Sequence, residues 1–266
     1  KFVYASTDTL VVPIEVYNAL YGEVQKVRTS YYIVNDSNRV LTGGGLFSGN
    51  IPIGKNNSVG TVTFPLDSIQ KAQKLTLIVD VAGKLRNRWN FWVYPDLKEE
   101  GEARDAKCDI HIADSLDAKA LAVLKKGGKV LLTAAGKVRL GSDVVQHYLP
   151  VFWNTSWFKM RPPHTTGAYI DRQHPLFKYD FPTDDWSNLN WWELLNKAQV
   201  MNLMELPKYY QSPIQPIDTW HVSRKLGMLI EARVMKGKLL MTTMDITTDL
   251  EHRLVARQMR AAIFDY

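Results

Sequence analysis

Hydrophobic positions along the first 95 residues occur in short runs that alternate with polar positions. In "LTLIVDVA", one strand face carries Leu75, Leu77, Val79 and Val81, whereas the other carries Thr76, Ile78 and Asp80. Such runs recur at intervals of about ten residues and are separated by turn sequences such as "NDSN" and "GKNN". About seven strands of this kind, with no helix-period segment between them, predict an immunoglobulin-like β-sandwich over residues 1–95.

A change of pattern follows this region. In "DLKEEGEARDAK", residues 96–107, eight of twelve positions are charged, and we predict a linker there. Beyond it, "CDIHIAD" is typical of a strand and "KVLLTAA" of a strand buried on both faces. Between them, "SLDAKALAVLKKGG" predicts a helix that begins at Ser115 or Asp117 and ends at Gly127. Strand, helix and strand in this order predict a parallel sheet.

The C-terminal part of the chain extends this prediction. "KLGMLIEARV" and "GKLLMTTMDI" flank a Met-Lys-Gly turn and predict a hairpin added to the same sheet. The last segment contains Thr248 and Glu251 at the spacing of a capping box, which places the start of the final helix there. We therefore predict that residues 108–266 form a doubly wound, flavodoxin-like α/β domain.

Composition excludes several classes of protein. The net charge of +6 is scattered along the chain rather than concentrated on one segment, which argues against a nucleic-acid partner. No apolar run reaches the roughly 18 residues of a membrane span. The chain starts at Lys1 without a Met or a signal segment, and we interpret it as a piece of a longer polypeptide.

Motifs for cofactors, metals and nucleophiles are missing from the sequence. The turn after the first α/β strand, "ADSLDA", has no glycine, which argues against a dinucleotide cofactor. Cys108 precedes its strand and Ser142 lacks the second glycine of a nucleophile elbow. His164 and His174 are ten residues apart, which is not a zinc-binding spacing. We predict no cofactor, no metal and no catalytic residue in this chain.

Tryptophan clusters are the remaining chemical signal. Six of the 8 tryptophans follow residue 108, in "VFWNTSWF", "DDWSNLNWWELL" and "DTWHVSR". Indole faces stack on sugar rings and amides or carboxylates bind hydroxyls, but the same residues also cap the edge of a sheet. If a ligand binds, we expect it at the carboxyl ends of the strands, in the loops at 151–169, 182–192 and 218–224. The candidate ligand-binding residues are Trp153, Asn154, Trp157, His164, Asp218, Trp220 and Arg224.

A series of motifs in one order covers nearly the whole chain: "NRWNFWVYP", "KKGGKVLL", "PVFWNTSWF", "PHTTG", "HPLF", "NWWELL" and "RKLGMLIEARVMKGKLLMTTMDI". This series resembles the C-terminal accessory region of family 2 glycoside hydrolases of the β-galactosidase type. The resemblance implies a sandwich domain at 1–95, a linker at 96–107 and a class I glutamine-amidotransferase-like domain at 108–266 that lacks its nucleophile. It also implies a parent protein that is periplasmic or secreted.

In such enzymes the catalytic carboxylates lie on an upstream barrel of about 250 residues, which does not fit beside the sandwich in this chain. The resemblance therefore implies an inactive accessory fragment. Its partners would be the catalytic barrel of the parent chain, a carbohydrate or a second copy of the chain. Two alternatives remain open: a self-contained carbohydrate-binding protein, and a free-standing α/β hydrolase or amidotransferase.

Overall fold

The computed structural model describes residues 1–96, 109–148, 164–178 and 181–266. The chain divides into two compact units, Lys1–Asp96 and Leu97–Tyr266, which are described separately below. The structure is mostly β, with 42% strand and 13% helix, and its sheets are arranged like those of a sandwich. Cys108 and most of the predicted linker lie outside the described residues.

Two sheets make up the first unit. Its strands are β1 (Val3–Ala5), β2 (Thr9–Tyr17), β3 (Val24–Asn35), β4 (Val40–Ile51), β5 (Asn56–Pro65), β6 (Gln73–Val81) and β7 (Leu85–Tyr94). One sheet has the order β1-β7-β6-β3-β4, and the other is the antiparallel pair β2-β5. Strand β1 pairs with β7 in parallel, whereas the pairs β7–β6, β6–β3 and β3–β4 are antiparallel.

The sandwich core follows from the period-two pattern of its strands. Leu75, Leu77 and Val79 of β6 are at most 3% exposed and belong to one apolar cluster with residues of the other sheet, including Leu10 and Val62. Because successive side chains of a strand point to opposite faces, Thr76 and Asp80 are left on the outer face. Burial of apolar side chains between the two sheets is the main force that holds this unit together.

The elements of the second unit are short. In chain order they are β8 (Ile110–Ala113), α1 (Ala118–Lys125), β9 (Lys129–Thr133), β10 (Ala168–Ile170), α2 (Trp192–Asn196), β11 (Met201–Asn202), β12 (Ile214–Pro216), β13 (Leu226–Gly227), β14 (Leu229–Val234), β15 (Gly237–Thr242) and α3 (Leu254–Asp265). Two turns of 3-10 helix, Pro175–Phe177 and Leu189–Trp191, precede α2.

A four-stranded sheet forms the centre of this unit, with the order β14-β15-β9-β8. Strands β8, β9 and β15 are parallel, and the edge strand β14 is antiparallel to β15. Helix α1 connects β8 to β9 and is capped by Asp117, whose carboxylate accepts a hydrogen bond of 2.7 Å from the backbone N–H of Ala120. Ala120 and Leu124 of this helix pack on Val130 and Leu239 on one face of the sheet.

The opposite face of the sheet is approached by the end of α3, because Ile263 and Tyr266 line a cavity together with Leu131 and Leu240. Among the described residues of this unit, two smaller antiparallel ribbons are also present: β10 pairs with β12, and β11 pairs with β13. Within the described residues, no helix is both long and apolar enough to cross a membrane.

The start of the last helix differs from the prediction. Helix α3 begins at Leu254, and its N-cap, Arg253, makes no side-chain capping bond. The capping box at Thr248 is wrong because Asp245 already binds this segment: its carboxylate accepts hydrogen bonds from the backbone N–H groups of Thr247 and Thr248. An Asx turn therefore occupies the positions at which the sequence pattern placed the helix.

Candidate functional site

Four of the predicted ligand-binding residues lie in the described part of the chain: His164, Asp218, Trp220 and Arg224. Trp153, Asn154 and Trp157 lie outside the described residues. The segments that carry the four residues meet. Val145 forms an isolated β-bridge with His164. The N–H of Thr166 donates to the carbonyl of Ile217 at 3.2 Å. Arg224 Nη1 donates to Asp143 Oδ2 at 2.8 Å.

Asp218 and Arg224 form a bidentate ion pair. The Nε and Nη2 atoms of Arg224 lie 3.0 and 3.2 Å from the two carboxylate oxygens of Asp218. The backbone N–H groups of Thr219 and Arg224 donate to the same carboxylate at 2.8 and 2.7 Å. Burial raises the pKa of Asp218, but the bonds from Arg224 and the backbone outweigh this effect and hold the pKa below its usual range. These contacts close the loop 218–224.

Trp220 stands on this closed loop and is 57% exposed. Its indole Nε1–H donates to Nε2 of the neighbouring His221 at 2.7 Å, so the polar edge of the ring is already bonded while its surface reaches solvent. The side chain of Asp218, in contrast, is only 3% exposed. Trp220 is therefore accessible, together with His221 to Ser223, whereas Asp218 has a structural role.

His164 is buried, with 1% of its surface exposed. Its Nδ1 lies 2.6 Å from the carbonyl oxygen of Thr165, a contact that requires the proton to be on Nδ1. The other ring nitrogen, Nε2, is buried and has no hydrogen-bond partner among the described residues. The ring packs edge-on against His147 at 5.6 Å. This geometry gives His164 no access to solvent.

Ion pairs lie at the carboxyl ends of the parallel strands, where the sequence predicted a crevice. Lys137, after β9, pairs with Asp114, after β8. Arg253 is 5% exposed and donates to Glu193 Oε1 at 2.6 Å and to Asp245 Oδ2 at 2.8 Å, beyond the end of β15. In the turn between β8 and α1, Ser115 Oγ lies 3.3 Å from Asp114 Oδ1. These charges fix the loops to one another.

An exposed aromatic pair lies on the β10 ribbon instead. Tyr169 is the cross-strand partner of Gln215 in β12, and on its other edge it forms an antiparallel β-bridge with Trp186. Directly paired residues project to the same side of a sheet, so the three side chains share one face. The rings of Tyr169 and Trp186 have centroids 5.4 Å apart and planes inclined by 71°. They are 37% and 60% exposed, respectively. Two aromatic rings and an amide thus form a corner open to solvent.

The inner face of the same ribbon is apolar. Ala168 and Ile170 of β10 and Ile214 of β12 are at most 1% exposed. The segment before Trp186 is held to β10 by a hydrogen bond of 2.8 Å from Ile170 N–H to the carbonyl of Asp185. The buried inner face fixes the backbone, and hence the positions of the aromatic rings on the outer face.

A polar side chain shares the face of the two aromatic rings. The amide of Gln215, the cross-strand partner of Tyr169, offers both a donor and an acceptor there. Next to Trp186 in the chain, Asp185 Oδ1 lies 3.0 Å from Arg172 Nε, and both of these side chains are about half exposed. An aromatic surface binds the C–H face of a sugar ring, and planar polar side chains bind its hydroxyl groups. Aromatic surfaces and a planar polar side chain therefore lie together at this corner.

A second polar cluster joins the start of a 3-10 turn to the edge strand β14. His174 Nε2 lies 3.1 Å from Glu231 Oε2, and the hydroxyl of Tyr210 accepts the backbone N–H of Glu231 at 3.0 Å. Burial raises the pKa of Glu231, but hydrogen bonds from His174 and Tyr266 outweigh it and lower the pKa. Burial and the bond to Glu231 raise the pKa of Tyr266 to about 12.

Sequence reasoning missed several of these residues. Trp186 is recognisable in the sequence as part of a tryptophan cluster. Tyr169 and Gln215, however, lie in strands of three residues, which are too short to show a hydrophobic–polar alternation. The pairing of His174 with Glu231 joins positions 57 residues apart, and no local pattern indicates it. Among the described residues, no group of three or more His, Cys, Asp or Glu side chains is arranged to hold a metal ion.

Comparison with known proteins divides the chain at about the same place as the structure does. Residues 8–95 match the family described as Domain of unknown function (DUF8488). Residues 111–266, more than half of the chain, match the family described as Domain of unknown function (DUF8487). A search of curated proteins returned no match. The chain therefore belongs to the family described as Domain of unknown function (DUF8487).

Proposed function

We propose that this chain is a non-catalytic, carbohydrate-binding accessory region of a family 2 glycoside hydrolase. The observation that carries the proposal is the exposed corner formed by Tyr169 and Trp186, with the amide of Gln215 on the same face. Aromatic rings of this size are mostly buried when their role is packing, and this pair is held in the open by a ribbon whose inner face is buried.

The fold of the second unit supports the same proposal. Strands β8 and β9 with α1 between them form a parallel βαβ unit, which supports the proposal of an amidotransferase-like domain. In the described turns after β8 and β9, the residues are Asp114 and Ser115, and Ala134 and Ala135. Neither turn carries the cysteine that an amidotransferase of this kind uses as its nucleophile. We therefore propose that this unit has an amidotransferase-like fold without the catalytic cysteine, and that it serves in binding.

Carbohydrate binding is tested by affinity electrophoresis of residues 1–266 in gels that contain β-1,4-galactan, arabinogalactan or, as the galactose-free comparison, dextran. A galactose-containing polysaccharide should retard the wild-type protein. Trp186→Ala should remove most of the retardation, because stacking of one ring on an indole is lost. Trp192→Ala is the matched control: Trp192 is also exposed, at 56%, but lies on α2.

Two results would contradict this proposal. One is the absence of retardation by either galactose-containing polysaccharide. The other is equal retardation of the wild type and Trp186→Ala. Catalysis is tested separately with nitrophenyl glycosides, for which no turnover is expected. Hydrolysis that disappears on replacement of one Asp or Glu of this chain would show that the fragment is an enzyme in its own right.

A further inference from the structure

The second unit contains a cavity of about 390 Å³ on the face of the central sheet opposite helix α1. This volume is within the range of about 300–1,000 Å³ that is typical of small-molecule sites. Leu131 of β9 and Leu240 of β15, which are cross-strand partners, form its floor. Ile263 and Tyr266, at the end of α3, form one wall. The cavity is distinct from the aromatic corner, to which it contributes no residue.

Three cations lie side by side along this cavity. Lys129 of β9 is the cross-strand partner of Lys238 of β15, which is in turn the partner of Arg233 of β14. All three line the cavity. Since neighbouring strands are about 4.8 Å apart and partners project from the same face, three positive charges form one row. Like charges directly opposite one another destabilise a sheet, so this row is electrostatically unfavourable without a compensating negative charge.

No carboxylate of the described residues forms an ion pair with this row. Among the described residues of the cavity lining, the one acidic side chain is Glu231, which is bonded to His174 at 3.1 Å and to the hydroxyl of Tyr266. Its charge is therefore directed to the wall of the cavity formed by α3. The lining keeps a surplus of positive charge next to an apolar floor.

We propose that this cavity binds a small amphipathic anion, with its carboxylate, phosphate or sulfonate group on the row Lys129–Lys238–Arg233 and its apolar body over Leu131 and Leu240. An anion on the row would remove the repulsion between neighbouring cations. The apolar body would remain in contact with the leucines and with Ile263. This site is independent of the sugar-binding corner, and either proposal can fail without the other.

The test uses two fluorescent probes that differ by one charged group. The first, 1-anilinonaphthalene-8-sulfonate, carries a sulfonate; the second, N-phenyl-1-naphthylamine, has the same aromatic body and no charge. The wild type should bind the sulfonate probe at one site, and its affinity should fall as sodium chloride is added. The double variant Lys129→Gln/Lys238→Gln should bind this probe at least fivefold more weakly and the neutral probe as the wild type does.

Lys125→Gln is the matched control, because Lys125 is an exposed cation of α1 that does not line the cavity. It should leave both affinities unchanged. A thermal unfolding scan without ligand provides a second readout: the double variant should unfold no earlier than the wild type, since it loses only repulsive neighbours. Equal affinity of the wild type and the double variant for the sulfonate probe would overturn the proposal, as would the absence of saturable binding of this probe to the wild type.

Discussion

His174 Nε2 lies 3.1 Å from Glu231 Oε2, and this contact ties a 3-10 turn to the edge strand of the central sheet across 57 residues of sequence. Nδ1 of the same imidazole accepts the backbone N–H of Leu176 at 3.3 Å, which leaves the proton on Nε2, facing the carboxylate. Tyr266 completes the cluster through its hydrogen bond to Glu231. One carboxylate thus connects three parts of the second unit.

The first prediction concerns the phenol of Tyr266. Because burial and the bond to Glu231 raise its pKa to about 12, Tyr266 should ionise at a higher pH than a free phenol, whose pKa is about 10. Because the pKa of Tyr266 is higher in the folded than in the unfolded protein, the protonated phenol stabilises the fold below about pH 10. This contribution is lost as the pH rises toward the pKa of the folded state. Glu231→Gln should move the titration of Tyr266 back toward that of a free phenol. NMR titration of ring-labelled tyrosine measures both variants, and an unchanged titration in Glu231→Gln would contradict the assignment.

Acid sensitivity should come partly from Asp218. Its lowered pKa means that the contribution to stability is complete above the unfolded value of about 3.9 and is lost as the pH falls through the folded value. Asp218→Asn should cost about 2 kcal/mol at pH 7, since it removes a charged partner of Arg224 and weakens its hydrogen bonds. The difference between wild type and variant should shrink at pH 3. Urea unfolding at both pH values measures it.

Asp143→Asn is the control for this prediction. Asp143 contacts the same guanidinium of Arg224, but its side chain is 73% exposed. An exposed ion pair contributes at most about 1 kcal/mol, so this variant should change the free energy of unfolding little at either pH. If Asp143→Asn and Asp218→Asn were equally destabilising at pH 7, burial would not be the property that distinguishes them.

Tryptophans of the second unit should separate into two classes. Trp191 is 0% exposed, packs on Phe181 with ring centroids 4.9 Å apart and donates from Nε1 to Thr183 Oγ1 at 2.9 Å. Trp191→Ala should therefore lower the free energy of unfolding by about 3–5 kcal/mol. Trp220→Ala, at an exposed ring, should change it by less than about 1 kcal/mol. Chemical denaturation of the two variants checks the difference.

Two glycines with positive φ provide a test of close packing. Gly141 has φ +107°, and a Cβ there would lie 2.8 Å from the backbone nitrogen of Asn202 and closer still to the carbonyl oxygen of Val200. Gly136 has φ +72° and no atom within 4 Å of a Cβ. Gly136→Ala should cost about 1 kcal/mol from backbone strain alone. Gly141→Ala should cost at least about 3 kcal/mol, because the neighbouring backbone must move. Equal unfolding midpoints would refute this account.

The local sequence pattern predicted those elements that depend on residues close to one another in the chain. The alternation in β6 places Leu75 and Leu77 in the core, and helix α1 begins directly after Asp117 because this carboxylate accepts the N–H of Ala120. The start of α3 could not be predicted in the same way. Thr248 fits the sequence pattern of an N-cap, but its backbone N–H donates to the carboxylate of Asp245. Arg253, directly before α3, forms an ion pair with Glu193 of α2, which is far away in the sequence.

The candidate sites were predicted less well, for the same physical reason. Tryptophan clusters pointed to the second unit, and Trp220 is exposed there. The Tyr169–Trp186 corner, however, depends on two short segments that pair only in the folded chain. The row from Lys129 to Arg233 depends on the register between strands, to which the residues near each lysine give no clue. Roles for Trp153, Asn154 and Trp157 stay predictions.

The parallel pairing of β9 with β15 also constrains when the second unit can fold. Lys129 meets Lys238 more than a hundred residues later in the chain, after the whole β10–β13 region. During synthesis, the edge of β9 that pairs with β15 therefore stays unpaired until the hairpin Leu229–Thr242 has left the ribosome. An apolar strand with a free edge is prone to pair with other chains. Nascent chains that end before residue 229 should accordingly depend on chaperones to remain in solution.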